Sequence, residues 1–248
     1  MTAASTMAAR SFRGTATEGR SQGELRDLVR HVGAELELAP AEVIIEWAVA
    51  TFGERFCITS SMADAVLAHL ASRVAPGVDV VFLDTGYHFP ETIGTRDAVE
   101  ATLPVNLITI TPVQSVAEQD AAYGEDLYAR DPDLCCALRK VAPLQRSLDQ
   151  YDAWATGLRR AETRNRVIAP VVGWDENKQK VKVSPLARWS DDDVDRYIAE
   201  NGVLVNPLQY DGYPSIGCRP CTRRVAPGED KRSGRWADSN KTECGIHL

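Results

Sequence analysis

The chain has 248 residues, of which 44% are hydrophobic and 25% are charged, and its net charge is −7. This composition is that of a globular protein with a sizeable core, and the negative charge argues against a broad nucleic-acid-binding surface while allowing a local basic pocket for a small anion. No apolar run approaches the roughly 18 residues that span a bilayer, and no signal-peptide core is visible, so we expect a cytoplasmic protein without membrane contacts.

The first 22 residues are rich in Ala, Ser, Thr and Arg and poor in acidic residues. This composition occurs in transit peptides and in disordered leaders, and the missing amphipathic period favours a disordered leader over residues 1–22. We expect one α/β domain over residues 23–228 and a mobile C-terminal tail over residues 229–248.

Apolar residues recur with helical spacing between Glu24 and Ala50, and Pro40 suits the first turn of a second helix. Beyond them, short apolar runs alternate with helical segments. The predicted strands are RFCITSS, VDVVFLDTG and VNLITITP, and the predicted intervening helices are MADAVLAHLASRV and PETIGTRDAVEA. This alternation predicts a parallel α/β sheet, in which ligands bind beyond the carboxyl ends of the strands.

The second half of the chain continues the pattern less regularly. We predict a helix over residues 131–150, a strand from Ala153 to Leu158 that leads into an arginine-rich loop, and a helix over residues 190–202 with Ser190 as its N-cap. From Tyr210 onward, Gly, Pro and charged residues predict a loop.

The loop after the first predicted strand contains Ser60 and Ser61 and opens a predicted helix. Backbone N–H groups at such a helix start form a site for an anion, and small side chains let a ligand approach. The loop lacks the G-K-[ST] ending of a Walker motif. A plain helix cap by Ser60 or Ser61 is the simpler explanation.

Four of the six cysteines form two pairs, Cys135-Cys136 and Cys218-x-x-Cys221. Four thiolates suit a structural zinc ion or an iron–sulfur cluster. Adjacent helical residues point about 100° apart, which favours a four-iron cluster with separated attachment points over one small ion. A redox dithiol at residues 218–221 is a third interpretation, although no helix follows to lower the thiol pKa.

Basic residues accompany these thiols. Arg139 and Lys140 each follow one cysteine of the first pair by four residues, so a helix would place each cation one turn from a thiolate. Two further basic groups lie at residues 159–166 and 223–235, and arginine side chains of this kind match phosphate and sulfate oxygens. For any single arginine, solvated surface is the alternative.

These cysteines and cations occur together with the segments TGLRR, GCRPCTRRVAPGEDKRSGRW and the terminal KTECGIHL. In this combination the chain resembles the adenosine 5′-phosphosulfate (APS) reductases, which are the iron–sulfur branch of the sulfonucleotide reductases. The resemblance covers residues from about 25 to 248. It implies a Rossmann-like sheet of the adenine-nucleotide α-hydrolase type and the reduction of APS to sulfite and AMP, with thioredoxin or a similar dithiol protein as the reductant.

The resemblance also implies roles for individual residues. Cys244 would be the catalytic nucleophile and would carry an S-sulfocysteine intermediate. A 4Fe–4S cluster would be bound by Cys135, Cys136, Cys218 and Cys221. The substrate would be bound by Ser60, Ser61, backbone groups of Leu83, Lys140, Arg164, Arg232, Arg235 and His247. The family typically reads Ser-Gly-Ala where this chain has Ser-Ser-Met.

Three alternatives stay open from the residues alone. A reductase of the 3′-phosphorylated substrate (PAPS) is the nearest, although that branch typically lacks the four paired cysteines. A pyrophosphate-loop enzyme that uses ATP would have a glycine-rich loop at Ser60. A zinc-ribbon interaction protein would have no use for Cys244. Whether the chain forms a homo-oligomer is also open.

Overall fold

The structure is a computed structural model that describes residues 19–237, 239 and 241–246. Its strands form one sheet in the order β3-β2-β1-β4-β6-β5. Neighbouring strands are parallel except β5, which pairs with β6 antiparallel. The strands are β1 Phe56–Thr59, β2 Asp79–Leu83, β3 Asn106–Ile110, β4 Ala153–Thr156, β5 Val172–Asp175 and β6 Lys180–Val183.

Helices flank this sheet, which confirms the expected α/β class. In the described part of the chain they are α1 Gln22–Leu36, α2 Ala41–Phe52, α3 Val66–Val74, α4 Pro90–Thr102, α5 Val116–Tyr123, α6 Leu127–Arg130, α7 Pro132–Cys136, α8 Ala142–Leu148 and α9 Asp191–Asn201. None of the helices in the described ranges is long and apolar enough to cross a membrane.

The central strands are buried on both faces, because helices cover each side. Alternate residues point to opposite faces, so Phe56 and Ile58 of β1 join the large core beneath α2 and α3, whereas Cys57 joins a second cluster. That second cluster packs Leu144 and Leu148 of α8 against the sheet. Cys57 is therefore a core residue, as its apolar strand predicts.

Helix α1 begins inside the segment that we expected to be a leader. Ser21 is its N-cap and forms a capping box with Glu24, and the Arg20 backbone N–H donates to Asp152 Oδ2 (3.2 Å). These contacts place Arg20, Ser21 and Gln22 with the folded domain, and the division into leader, domain and tail stays a prediction. Residues 1–18 lie outside the described residues.

Two local features differ from the sequence predictions. Strands β5 and β6 form a hairpin that we had not predicted. The helix predicted over residues 131–150 consists of α7, a π-helical turn over Ala137–Val141 and α8. Pro143 explains this break, because it lacks an N–H group and its ring would clash with the carbonyl of Arg139 in a continuous α-helix.

Candidate active site

The loop after β1 makes a tight turn at the carboxyl edge of the sheet. Ser60 Oγ accepts a hydrogen bond from the Met62 backbone N–H (3.2 Å), and Met62 is buried with φ of +58°. Ser61 is exposed. Helix α3 begins only at Val66, whose N–H donates to Asp64 Oδ1 (3.0 Å). Neither serine caps α3, so the predicted helix start at these serines is wrong.

The loop after β2 lies beside the second cysteine pair. The Leu83 carbonyl accepts a hydrogen bond from His88 Nε2 (2.8 Å). Thr85 Oγ1 lies 3.3 Å from Cys218 Sγ, and the backbone N–H of Arg219 donates to the Tyr87 carbonyl (2.7 Å). These bonds fasten the turn over residues 218–221 to the carboxyl edge of the sheet.

All four paired cysteines line one small cavity between α7 and this turn. The residues around it are Tyr87, Tyr128, Pro132, Cys135, Cys136, Arg139, Lys140, Cys218 and Cys221. The turn is a single 3₁₀ turn, Arg219–Cys221, with Cys218 just before it. Segments distant in sequence therefore bring their thiols to one place.

The four thiols around this cavity are a donor set that could bind a metal ion or a cluster. Burial, followed by the neighbouring cysteines, raises the pKa of Cys135 to about 12, and burial raises the pKa of Cys221 to about 11. A bound cation would reverse this, because metal coordination deprotonates a thiol. Within the described ranges, no group of three or more His, Cys, Asp or Glu side chains is drawn together as a metal-ion site. Four thiols around one cavity nevertheless fit an iron–sulfur cluster or zinc.

The two cations beside the first cysteine pair differ in role. Lys140 is buried, and although burial opposes its charge, attraction to Cys218, Cys244 and Cys136 raises its pKa. Lys140 is thus within electrostatic reach of both the paired cysteines and the C-terminal thiol.

Arg139 is also buried at the cavity wall. Its guanidinium donates to the Thr85 carbonyl and to Gln119 Oε1 (3.2 Å). It therefore fastens the loop after β2 to α5, and we had not anticipated this role.

The C-terminal tail returns to this edge of the sheet. Cys244 is partly buried within electrostatic reach of Lys140 and Arg235. Ile246 packs against the second core cluster, which Leu83 and Ile110 also contact. Gly245 has φ of +79°, a left-handed conformation that glycine adopts without strain. The described part of the tail is thus docked over the carboxyl ends of β2 and β3.

The arginines expected to bind the substrate occupy different settings. Arg232 donates to the Thr242 carbonyl (3.2 Å), and Arg235 donates to the Ile216 carbonyl (3.2 Å) and stacks over Trp236. Arg235 Nε is buried without a hydrogen-bond partner among the described residues. Both arginines therefore lie at the site. His247 lies outside the described residues.

Arg164 is exposed, whereas Arg166, two residues later, is buried and bonded to Glu243. Arg166 is thus the arginine of this loop that reaches the tail, a contact that we had not predicted, and the substrate-binding role of Arg164 stays a prediction. The sequence carried no signal for this contact, because the burial of Glu243, which requires a cationic partner, is visible only in the fold.

The chain is similar in sequence to known sulfonucleotide reductases. Residues 55–224 match the model of the phosphoadenosine phosphosulfate reductase domain. The chain is 66% identical to an adenosine 5′-phosphosulfate reductase of Streptomyces coelicolor, over 93% of this chain and 98% of the relative. It is 54% identical to an enzyme of the same name from Mycolicibacterium smegmatis, over 92% of this chain and 97% of the relative.

Solved structures show similar folds. The phosphoadenylyl-sulfate (PAPS) reductase of Candida auris, in its phosphate complex, superposes with a TM-score of 0.68 at 28% identity and covers 81% of this chain and 97% of its own. The FMN adenylyltransferase of Candida glabrata, in complex with FAD and pyrophosphate, has a TM-score of 0.53 at 9% identity, over 92% of this chain and 86% of its own. This second likeness concerns the fold alone.

Proposed function

The chain belongs to the phosphoadenosine phosphosulfate reductase domain family, and on this premise we propose that it reduces adenosine 5′-phosphosulfate to sulfite and AMP in sulfate assimilation. The observation that carries the proposal is the position of Cys244, a partly buried thiol beside Lys140 and Arg235 at the edge of the sheet where α/β proteins bind ligands. The relatives with 66% and 54% identity are named adenosine 5′-phosphosulfate reductases, which favours APS over its 3′-phosphorylated form, PAPS.

In the first step, the Cys244 thiolate attacks the sulfur of the sulfate group. A bond forms between the two sulfur atoms, the bond from that sulfur to the bridging oxygen breaks, and AMP leaves with the electron pair. Lys140 and Arg235 supply positive charge beside the thiol, and this charge stabilises the negative charge on the transferred group. Arg232 and the exposed Arg164 complete the candidate anion-binding set, together with Ser60, Ser61, the Leu83 backbone and His247.

In the second step, a dithiol protein of the thioredoxin type attacks Cys244 Sγ. The sulfur–sulfur bond to the sulfo group breaks and sulfite leaves with its electron pair. The second thiol of the reductant then attacks the mixed disulfide and regenerates Cys244. One dithiol is oxidised to a disulfide for each sulfate group reduced to sulfite.

We further propose that Cys135, Cys136, Cys218 and Cys221 bind a 4Fe–4S cluster. When bound, this group would supply a fixed charge beside Lys140 and cross-link two segments of the chain. Lys140 would then be oriented between the cluster and the sulfate group of the substrate.

Incubation with ³⁵S-labelled nucleotide without a reductant tests the proposed function. The enzyme, purified anaerobically, should be brown and should retain label on Cys244 from APS, and added thioredoxin should release the label as sulfite. Cys244→Ser should remain brown and retain no label.

The same experiment with labelled PAPS distinguishes the closest rival substrate. Trapping from PAPS alone would overturn the choice of APS. A colourless, active enzyme loaded with zinc would overturn the cluster.

A further inference from the structure

The residue before the proposed nucleophile is a buried acid with an unusually complete set of partners. Glu243 Oε1 accepts hydrogen bonds from Arg166 Nε (2.9 Å) and Thr163 Oγ1 (3.3 Å), and Oε2 accepts one from Arg166 Nη2 (2.8 Å). Arg232 Nη2 lies 3.6 Å from the same Oε2. The two parallel bonds from Arg166 form a bidentate pair, which fixes orientation as well as position.

This pair is shielded from solvent. The Glu243 side chain is 5% exposed and that of Arg166 is 10% exposed. Although burial opposes ionisation, the hydrogen bonds from Arg166 hold the pKa of Glu243 below its ordinary value. Removing one partner of such a pair leaves an uncompensated buried charge, so the contact is costly to break on one side only.

The contact fixes the chain immediately before Cys244, and a second anchor fixes it immediately after. Arg232 binds both the Glu243 carboxylate and the Thr242 carbonyl (3.2 Å), so side chain and backbone are restrained together. On the other side of the thiol, Ile246 packs against the second core cluster. Cys244 is therefore flanked by two fixed residues: Glu243, which is held by ionic contacts, and Ile246, which is held by apolar packing.

We propose that Glu243 is a positioning residue for the sulfur-transfer step, and that its pairing with Arg166 and Arg232 docks the tail so that Cys244 reaches the sulfur of the substrate. We call this contact the carboxylate latch. The inference rests on the proposed function and deepens it. The latch belongs to the closed state of the tail, whereas the second step requires Cys244 to be accessible to a protein.

The Glu243→Gln variant tests the latch because it keeps the shape of the side chain and removes its charge. The rate at which Cys244 acquires label from ³⁵S-APS in a single turnover should fall by roughly 10- to 100-fold, as expected when a reacting group is displaced by about 1 Å. The dissociation constant for AMP should change less than threefold, and the visible absorption should not change. Glu229→Gln removes an exposed carboxylate of the same tail and should leave the labelling rate unchanged.

Alkylation gives a readout that does not depend on turnover. Iodoacetamide should modify Cys244 of the Glu243→Gln variant several-fold faster than in the wild type, as measured by mass spectrometry of the C-terminal peptide. Arg166→Gln should have the same effect, and the double variant should be no worse than either single one, because the two residues act as one contact.

The outcomes separate the latch from the proposed function. If the wild type acquires no label from either nucleotide, the proposed intermediate fails. If the wild type is labelled and Glu243→Gln is labelled equally fast, the latch fails. Tighter AMP binding or faster labelling in Glu243→Gln would also overturn it, because Glu243 would then compete with the substrate for the arginines.

Discussion

At the scale of single residues, Lys140 is the most constrained charge in the site. Its ammonium group is buried, which by itself disfavours the charged form. Attraction to the neighbouring cysteines Cys218, Cys244 and Cys136 nevertheless raises its pKa. A cation held in this way keeps its charge at neutral pH and does not need to reorganise as negative charge develops nearby.

Lys140→Met should therefore slow the labelling of Cys244 by about 100-fold, the order of effect seen when one preorganised donor is removed. Lys231→Met is the control, because Lys231 is an exposed lysine paired with Asp191 and such pairs contribute little. Single-turnover labelling measures both variants. An equal effect in the two would show that the loss of positive charge in general is responsible.

Lys182 provides a second residue-scale prediction. Burial lowers its pKa to about 8, so the folded protein binds fewer protons than the unfolded chain between pH 8 and about 10.4, the ordinary lysine value. Its contribution to the free energy of unfolding therefore rises with pH across this window. Compared with Lys182→Met by urea denaturation, the wild type should gain about 2 kcal/mol between pH 8 and pH 10. If the difference in the free energy of unfolding between the wild type and Lys182→Met does not vary with pH, this prediction is wrong.

At the scale of elements, the π-helical turn Ala137–Val141 decides where Lys140 points. It follows directly after the cysteine pair, and the Ala142 N–H bonds to the Ala137 carbonyl five residues back. Each such turn shifts the phase of the residues beyond it relative to an α-helix, and π-turns are frequent at functional sites. Pro143 maintains this arrangement because it removes the α-helical alternative.

Pro143→Ala should allow a continuous α-helix and rotate Lys140 relative to the cysteine pair. We expect the labelling of Cys244 to slow by roughly 10-fold while the free energy of unfolding is not lowered, because proline is unfavourable inside an α-helix. Pro90→Ala, in the first turn of α4 where proline is tolerated, is the matched control. Unchanged labelling in Pro143→Ala would mean that the anchoring of Arg139 maintains the turn without the proline.

At the scale of the whole molecule, the site joins parts of the chain that are distant in sequence. Cys135 and Cys136 come from α7, Cys218 and Cys221 from a turn before the tail, and Cys244 from the tail itself. A group bound by both cysteine pairs would close a long loop, and such cross-links restrict the unfolded chain.

Loss of that group should therefore lower the melting temperature. Cys218→Ser should lose the visible absorption and melt about 5 °C lower, the shift expected for one to two kcal/mol in a protein of this size. Removing the iron from the wild type should produce the same shift. Cys57→Ala, a buried cysteine in the core, should keep both its colour and its iron-dependent difference in melting temperature. A wild type with equal melting temperatures with and without iron would exclude the cross-link.

Local patterns in the sequence were sufficient to predict β1, β2, β3 and β4, because each appears as a short apolar run between helices. This holds even for β3, which lies at the edge of the sheet and is only partly buried. The hairpin of β5 and β6 was missed, since its strands are short and Lys180 and Lys182 interrupt the apolar pattern. We predicted one regular helix over residues 131–150, whereas the structure has a π-helical turn within it. Sequence alone does not show whether a proline is accommodated by a π-turn or by the end of a helix.

Residue type and short-range spacing were enough to predict the α/β class and to point to the four paired cysteines and the terminal thiol as candidate site residues. Three contacts become visible only in the folded chain: Arg166 rather than Arg164 bonds the tail, Arg139 fastens the loop at Thr85, and Glu243 is buried beside Cys244. These contacts join residues from distant segments, and which of two nearby arginines turns inward depends on packing that no local pattern records.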